Sequence, residues 1–226
     1  MAKVKFTAFM ADARGKLNGS VFSKNRGGAY VRTKVTPSNP QTSYQTTVRQ
    51  RLASLSASFR ALTAAQILAW NNAVGDFLGT NVFGDTTTPT GLQLYVKLNA
   101  NLIGIGESAM VTPPSPIGIS PLTATIATLS DSAFTASLSA ITVNESYVIE
   151  ATAPVSPGRL FLKNEYRQIT TVAGTGSAIA AQNLYAAYGT KFGDPVSGQR
   201  VGLRVKVVSS LTGQAGIYVS DNEIVA

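Results

Sequence analysis

Four prolines crowd one short stretch of the chain: Pro113, Pro114, Pro116 and Pro121. Each lacks a backbone donor and fixes φ, so neither a helix nor a central strand runs through them. The segment 110–121 therefore reads as extended and stiff. The hydrophobic rhythm changes across it, from helical spacing before to short β-like runs after. A single uniform helical or β domain is excluded. The chain reads as α+β: a basic β-hairpin arm over 1–41, a helical module over 42–109, a Pro-rich linker over 110–121, and an all-β immunoglobulin- or fibronectin-like sandwich over 122–226.

In the first segment, Asn18-Gly19 is a strong hairpin signal, because both residue types tolerate positive φ. Ser20–Ser23 reads as a strand and 24–28 as a second turn. Residues 29–35 alternate Tyr30, Arg32 and Lys34 against Val31, Thr33 and Val35, a strand with one basic face. Pro37 and Pro40 are expected to end it. From 43 to 78 the period is helical. Val48, Leu52, Leu55, Phe59 and Leu62 form one apolar stripe behind a Thr42 or Ser43 cap. Thr63-Ala64-Ala65-Gln66 is a capping-box signature, and it predicts a second helix that turns Ile67, Trp70, Val74 and Phe77 inward. A third helix over 91–103, after Thr90, would bury Leu92, Tyr95, Val96 and Leu102.

Beyond the prolines, strands are predicted at 123–129, 133–138, 146–153, 159–166, 177–181, 199–208 and 216–220. Seven short strands in about 105 residues suit a sandwich.

The chain has no Cys and no His. Disulfides, thiolate metal sites, cysteine nucleophiles, His-based triads and imidazole bases are thereby excluded. Carboxylate pairs such as Asp76/Asp85 and Glu145/Glu150 remain, with nothing in the sequence to place them in a cleft. The string from Gly104 to Ala109 matches GxGxxA, but it follows a helical pattern and runs into Pro113, the wrong setting for a dinucleotide turn. Asn18 and Asn144 open glycosylation triplets of a kind frequent by chance. The second helix carries Gln66, Asn71 and Asn72 but no Arg or Lys, a weak set for reading DNA bases. The expectation is a protein without catalytic activity or cofactor. No segment offers the ~18–20 apolar residues of a membrane span, and the opening residues make a poor signal peptide, so folding in a cytoplasm is expected.

The net charge of +8 is unevenly placed. Residues 1–60 hold 11 basic groups and one acid, Asp12, whereas the rest is slightly acidic. Such a concentrated field attracts polyanions or acidic protein surfaces; the plainer reading is a solvated arm. The candidate contacts are Arg14, Lys16, Lys24, Arg26, Arg32, Lys34, Arg49 and Arg51. Phe6, Phe9, Phe22 and Tyr30 lie between the charges, as in surfaces that stack on bases, or they form a small core. The tyrosines Tyr147, Tyr166, Tyr185, Tyr188 and Tyr218 leave a carbohydrate-binding module as a third reading. Charged residues are only 13% of the chain, about half the usual share, and so neutral a surface suits contact with other protein.

Residues 15–23, Arg26 to Arg32, Asn39-Pro40-Gln41-Thr42, Gln45, Val48-Arg49, Leu62 to Gln66 and Trp70 together resemble the N-terminal region of structural proteins from tailed phages and prophages, notably of Bacteroidetes and crAss-like phages. The resemblance covers roughly 14–103, and more loosely 147–154, 158–167 and 198–207. It implies a virion component, made in the host bacterial cytoplasm, whose partners are capsid, portal or tail proteins in a symmetric multimer. Sequence-independent nucleic-acid contact is the alternative, and no membrane is expected.

Overall fold

The computed structural model describes residues 2–5, 12–36, 39 and 41–226. They form mixed helix and sheet of the α+β class, with four α-helices and thirteen strands in four antiparallel sheets. The chain divides into two compact units, Met1–Leu94 and Tyr95–Ala226. That division falls inside a helix, not at the proline-rich segment.

The first unit opens with β1 (Ala2–Lys3), β2 (Gly15–Leu17), β3 (Ser20–Asn25) and β4 (Gly28–Thr33), in the sheet order β1-β4-β3-β2. Asn18, at φ 48°, makes the tight turn before Gly19. Pro37 and Pro40, named above as strand terminators, lie outside the described residues, as do Phe6 and Phe9. Helix α1 (Ser43–Arg60) starts at Thr42, whose hydroxyl accepts from the Gln45 N–H at 3.3 Å. Helix α2 (Ala64–Asn72) starts with a complete capping box: Thr63 accepts from the Gln66 N–H, and the Gln66 side chain accepts from the Thr63 N–H at 2.9 Å. Such a cap stabilises by about 1 kcal/mol. A 3₁₀ turn (Ala73–Phe77) and the two-residue strands β5 (Gly79–Thr80) and β6 (Thr86–Thr87) follow. Trp70 is fully buried, but the α1 stripe is only partly used: Leu55 is buried, whereas Val48 and Leu52 stay about half exposed. The inward expectation for those two residues is corrected. It is also corrected for Leu92, which is exposed on α3 (Gly91–Ile105).

In the second unit, the α3 residues Tyr95, Leu98 and Leu102 are buried, together with Asn99. The Asn99 amide is satisfied, accepting from the Met110 N–H at 2.6 Å and donating to the Met110 carbonyl. The proline-rich segment is fastened further along. The Ile117 N–H donates to Gln214 and the Ser120 N–H to Glu145, so 110–121 forms a wall of this unit rather than a loose tether. At the 209–214 turn, Gly213 has φ 68°, and any Cβ there would strike the Leu98 carbonyl. Glycine is required at this position on both counts.

Seven strands follow: β7 (Ala124–Leu129), β8 (Phe134–Leu138), β9 (Glu145–Ala151), β10 (Arg167–Ala173), β11 (Ile179–Asn183), β12 (Arg200–Ser209) and β13 (Val219–Ile224). They form two sheets, ordered β11-β8-β7 and β10-β9-β12-β13. Period-two alternation sends Ala124, Ile126, Phe134, Ala136 and Leu138 of one sheet into a single core with Tyr147, Ile149, Val201, Leu203, Val205 and Val207 of the other. Helix α4 (Tyr185–Phe192), which no sequence signal announced, adds Tyr188 to that core. The strand expected at 159–166 is corrected: that stretch is irregular backbone at 159–162 between turns at 157–158 and 163–165, which are closed by Arg159 N–H to Ser156 and Glu165 N–H to Leu162, both 3.0 Å. The strand expected at 216–220 begins instead at Val219, and the one expected at 177–181 at Ile179.

Glu145 is buried at the end of β9 and accepts from the Ser120 N–H at 2.9 Å and the Thr142 N–H at 3.0 Å. Burial alone would raise its pKa, but these donors outweigh burial and hold it below the ordinary glutamate value. A depressed folded-state pKa adds stability above the unfolded value, and that stability is lost as pH falls through the folded one. Glu145→Gln is therefore expected to lower the urea midpoint at neutral pH, by about 1–3 kcal/mol of stability. The gap from wild type should narrow as pH drops below about 4.5. A gap that does not change with pH would contradict this.

Candidate polyanion interface

The register of the N-terminal sheet decides which cations share a face. Directly opposed residues of an antiparallel pair project to the same side. Lys16 pairs with Val21 and Val21 with Arg32; Ser23 pairs with Tyr30 and Tyr30 with Lys3. Lys3, Lys16, Arg32 and Tyr30 therefore lie on one face, with Lys16 and Arg32 two strand spacings apart, about 10 Å. The other face carries Ala2, Val31, Phe22, Ala29 and Leu17. No residue of this sheet is fully buried.

The candidate cations separate into groups. Lys16 and Arg32 are on the shared face and exposed, and Lys34 follows directly, its N–H donating to the Gly19 carbonyl at 2.8 Å. Lys24 pairs with Ala29 and so points to the opposite side, and Arg26 sits in the β3–β4 turn. Arg14 precedes β2 and is ion-paired with Asp12 at 3.0 Å. Arg49 and Arg51 belong to α1, where Arg49 donates to Asn39 at 2.8 Å. Lys3 was not among the sequence candidates. Its place comes from the β1–β4 pairing, for which the only local sign was the alternation Lys3-Val4-Lys5. Lys5 is engaged elsewhere: it pairs with Asp85 at 3.0 Å and lies 5.2 Å from the Phe83 ring. Hydrogen bonds from Asn81 and Lys5 hold the Asp85 carboxyl below its ordinary pKa.

Among the described residues, Lys16, Lys24, Arg26, Arg32 and Lys34 make no ion pair. A twisted sheet face with cations at strand spacing attracts an extended polyanion or an acidic surface without reading a particular sequence.

The candidate carboxylates are placed apart. Glu145 and Glu150 are five positions apart on one strand, so β9 sends them to opposite faces. Glu150 pairs with Arg204, whose Nε donates at 2.9 Å. The Arg204 guanidinium is held between the Tyr166 and Tyr218 rings at 4.5 and 4.2 Å, and the Tyr218 hydroxyl donates to Glu150 at 3.0 Å. Burial pushes the neighbouring Lys206 ammonium down in pKa, with Glu150 opposing. This cluster closes on itself and braces the outer face of β9 and β12. No protein-family model and no curated protein matches the chain.

Proposed function

We propose that the chain is a structural protein of a tailed-phage particle: an auxiliary head, head–tail connector or tail component that anchors through its first unit and displays its second. The carrying observation is the segregation of charge. Residues 1–94 hold 11 basic and 3 acidic groups, and residues 95–226 hold 8 of each. The unit with the entire excess also has the sheet face bearing Lys3, Lys16 and Arg32. Anchoring works by shape and charge complementarity to an acidic capsid, portal or tail surface, and symmetric repetition turns weak single contacts into avidity. The displayed unit is read as an immunoglobulin- or fibronectin-like sandwich. In support, β7, β8 and β11 occupy the places of strands A, B and E, and β9, β12 and β13 those of C, F and G, with β10 beside C. No reaction, cofactor or membrane role is assigned.

One observation favours a second reading, a sequence-independent nucleic-acid-binding protein of packaging or replication. Tyr30 lies among the cations of the face, where an aromatic ring can stack on an unpaired base.

Mass spectrometry of purified particles tests the first reading, using the full chain and a chain lacking residues 1–40. The full chain is expected in the particle and the shortened one is expected to be lost from it. Absence of the full chain from particles, despite abundance in infected cells, refutes the reading. Filter binding of a single-stranded oligonucleotide across a salt series judges the second, which a flat log–log response removes.

A further inference from the structure

The second unit presents a hydrophobic projection and a hydrophobic recess. The projection is the irregular link between the turns at 157–158 and 163–165, where Leu160 and Phe161 are 70% and 72% exposed. It is held in shape from beneath. Leu162 is buried against Gly202, where a Cβ would collide with Leu162 and Tyr166, and Arg159 is ion-paired with Glu165. Two large apolar side chains on a braced loop are costly to leave in water.

The recess is a groove of about 230 Å³ between the 119–122 wall and the 216–217 segment, lined by Ile119, Pro121, Leu122, Val207 and Ile217 with Ser120 and Gly216. An apolar cavity of about 150 Å³ accepts a benzene-sized ring, so this groove is large enough for one phenylalanine side chain. The charges agree as well. The groove lining contains no cation, and the Ser120 N–H rests on the depressed-pKa carboxylate of Glu145. At the projection Arg159 is neutralised by Glu165, which leaves Lys163 with no ion pair among the described residues. With 8 basic and 8 acidic groups, this unit meets a copy of itself without net repulsion, unlike the cationic first unit.

We infer that Phe161 of one copy seats in the Ile119–Leu122–Ile217 groove of a second copy, head to tail. Such a contact is heterologous: it uses two different patches and leaves one of each unsatisfied at the ends, so it propagates into a ring or a filament. The inference is independent of the anchoring role, because it uses no residue of the first unit.

The test is sedimentation of the full chain over a concentration series, with Phe161→Asp and Ile217→Asp. Ile217 is 85% exposed, so both substitutions alter surface and not core, and far-UV circular dichroism checks each fold. Phe161→Ala replaces the aspartate variant if that perturbs the fold. Wild type is expected to form concentration-dependent oligomers, and each variant is expected to weaken association by at least about thirtyfold. An equimolar mixture of the two variants has one intact projection and one intact groove, so it is expected to form dimers that grow no further. The inference is overturned by a wild type that is monomeric throughout, by a variant that assembles like wild type, or by a mixture that stays monomeric.

Discussion

Tyr188→Ala is expected to destabilise the second unit by about 3–5 kcal/mol, a large share of the ~5–15 kcal/mol that holds a typical domain together. The ring is fully buried and sits edge-on to Phe134, with centroids 5.3 Å apart, and 5.2 Å from Phe192. Its hydroxyl donates to the Thr152 carbonyl at 3.1 Å, and burial holds the phenol well above its ordinary pKa. Truncation removes the packing and leaves a cavity between the two sheets. Tyr188→Phe separates the two contributions, because it keeps the ring and removes only the hydrogen bond, a loss of about 1–2 kcal/mol. Urea denaturation followed by far-UV circular dichroism is the suitable measurement, since the single tryptophan, Trp70, reports on the first unit. If alanine cost no more than phenylalanine, α4 would not be the stopper of this core.

That helix was also the part of the fold least legible in the sequence. Residues 185–192 contain Gly189, the N-cap residue Leu184 has no capping side chain, the Asn183 side chain accepts only from the Tyr185 N–H at 3.0 Å, and essentially one residue, Tyr188, is the buried anchor. Such a helix is held mainly by tertiary burial, which local sequence does not report. The opposite holds for α1 and α2, whose caps at Thr42 and Thr63 are local chemistry and could be read directly. The run Leu160-Phe161-Leu162 misled for a related reason. It lies within the strand expected at 159–166, but only Leu162 of the three is buried and the flanking turns break the ladder. The proline-rich segment holds neither helix nor strand, and its hydrogen bonds to Glu145 and Gln214 span 25 and 97 positions, which periodicity does not report. The basic face was half legible. Alternation places Tyr30 and Arg32 together, but only the pairing register adds Lys16 and Lys3 and removes Lys24 to the other side.

This division between faces sets the second large effect. The triple variant Lys3→Glu, Lys16→Glu, Arg32→Glu should abolish polyanion capture, whereas Lys24→Glu, Arg26→Glu, Arg49→Glu, with the same change in net charge, should retain much of it. A cation near an anionic surface contributes about 1 kcal/mol. Losing three and adding three like charges on one face therefore weakens binding on the order of 10³-fold or more at low salt. Binding of the full chain to polyglutamate and to a single-stranded oligonucleotide, each across a salt series, provides the measurement. For the oligonucleotide, each lost contact also flattens the log–log slope by about 0.7. Equal losses from both triples would mean that bulk charge does the attracting and that the strand register has no part in it. A selective loss from the first triple would tie capture to the pairing of β2 with β3, β3 with β4 and β4 with β1, which brings Lys3, Lys16 and Arg32 onto one face with Tyr30.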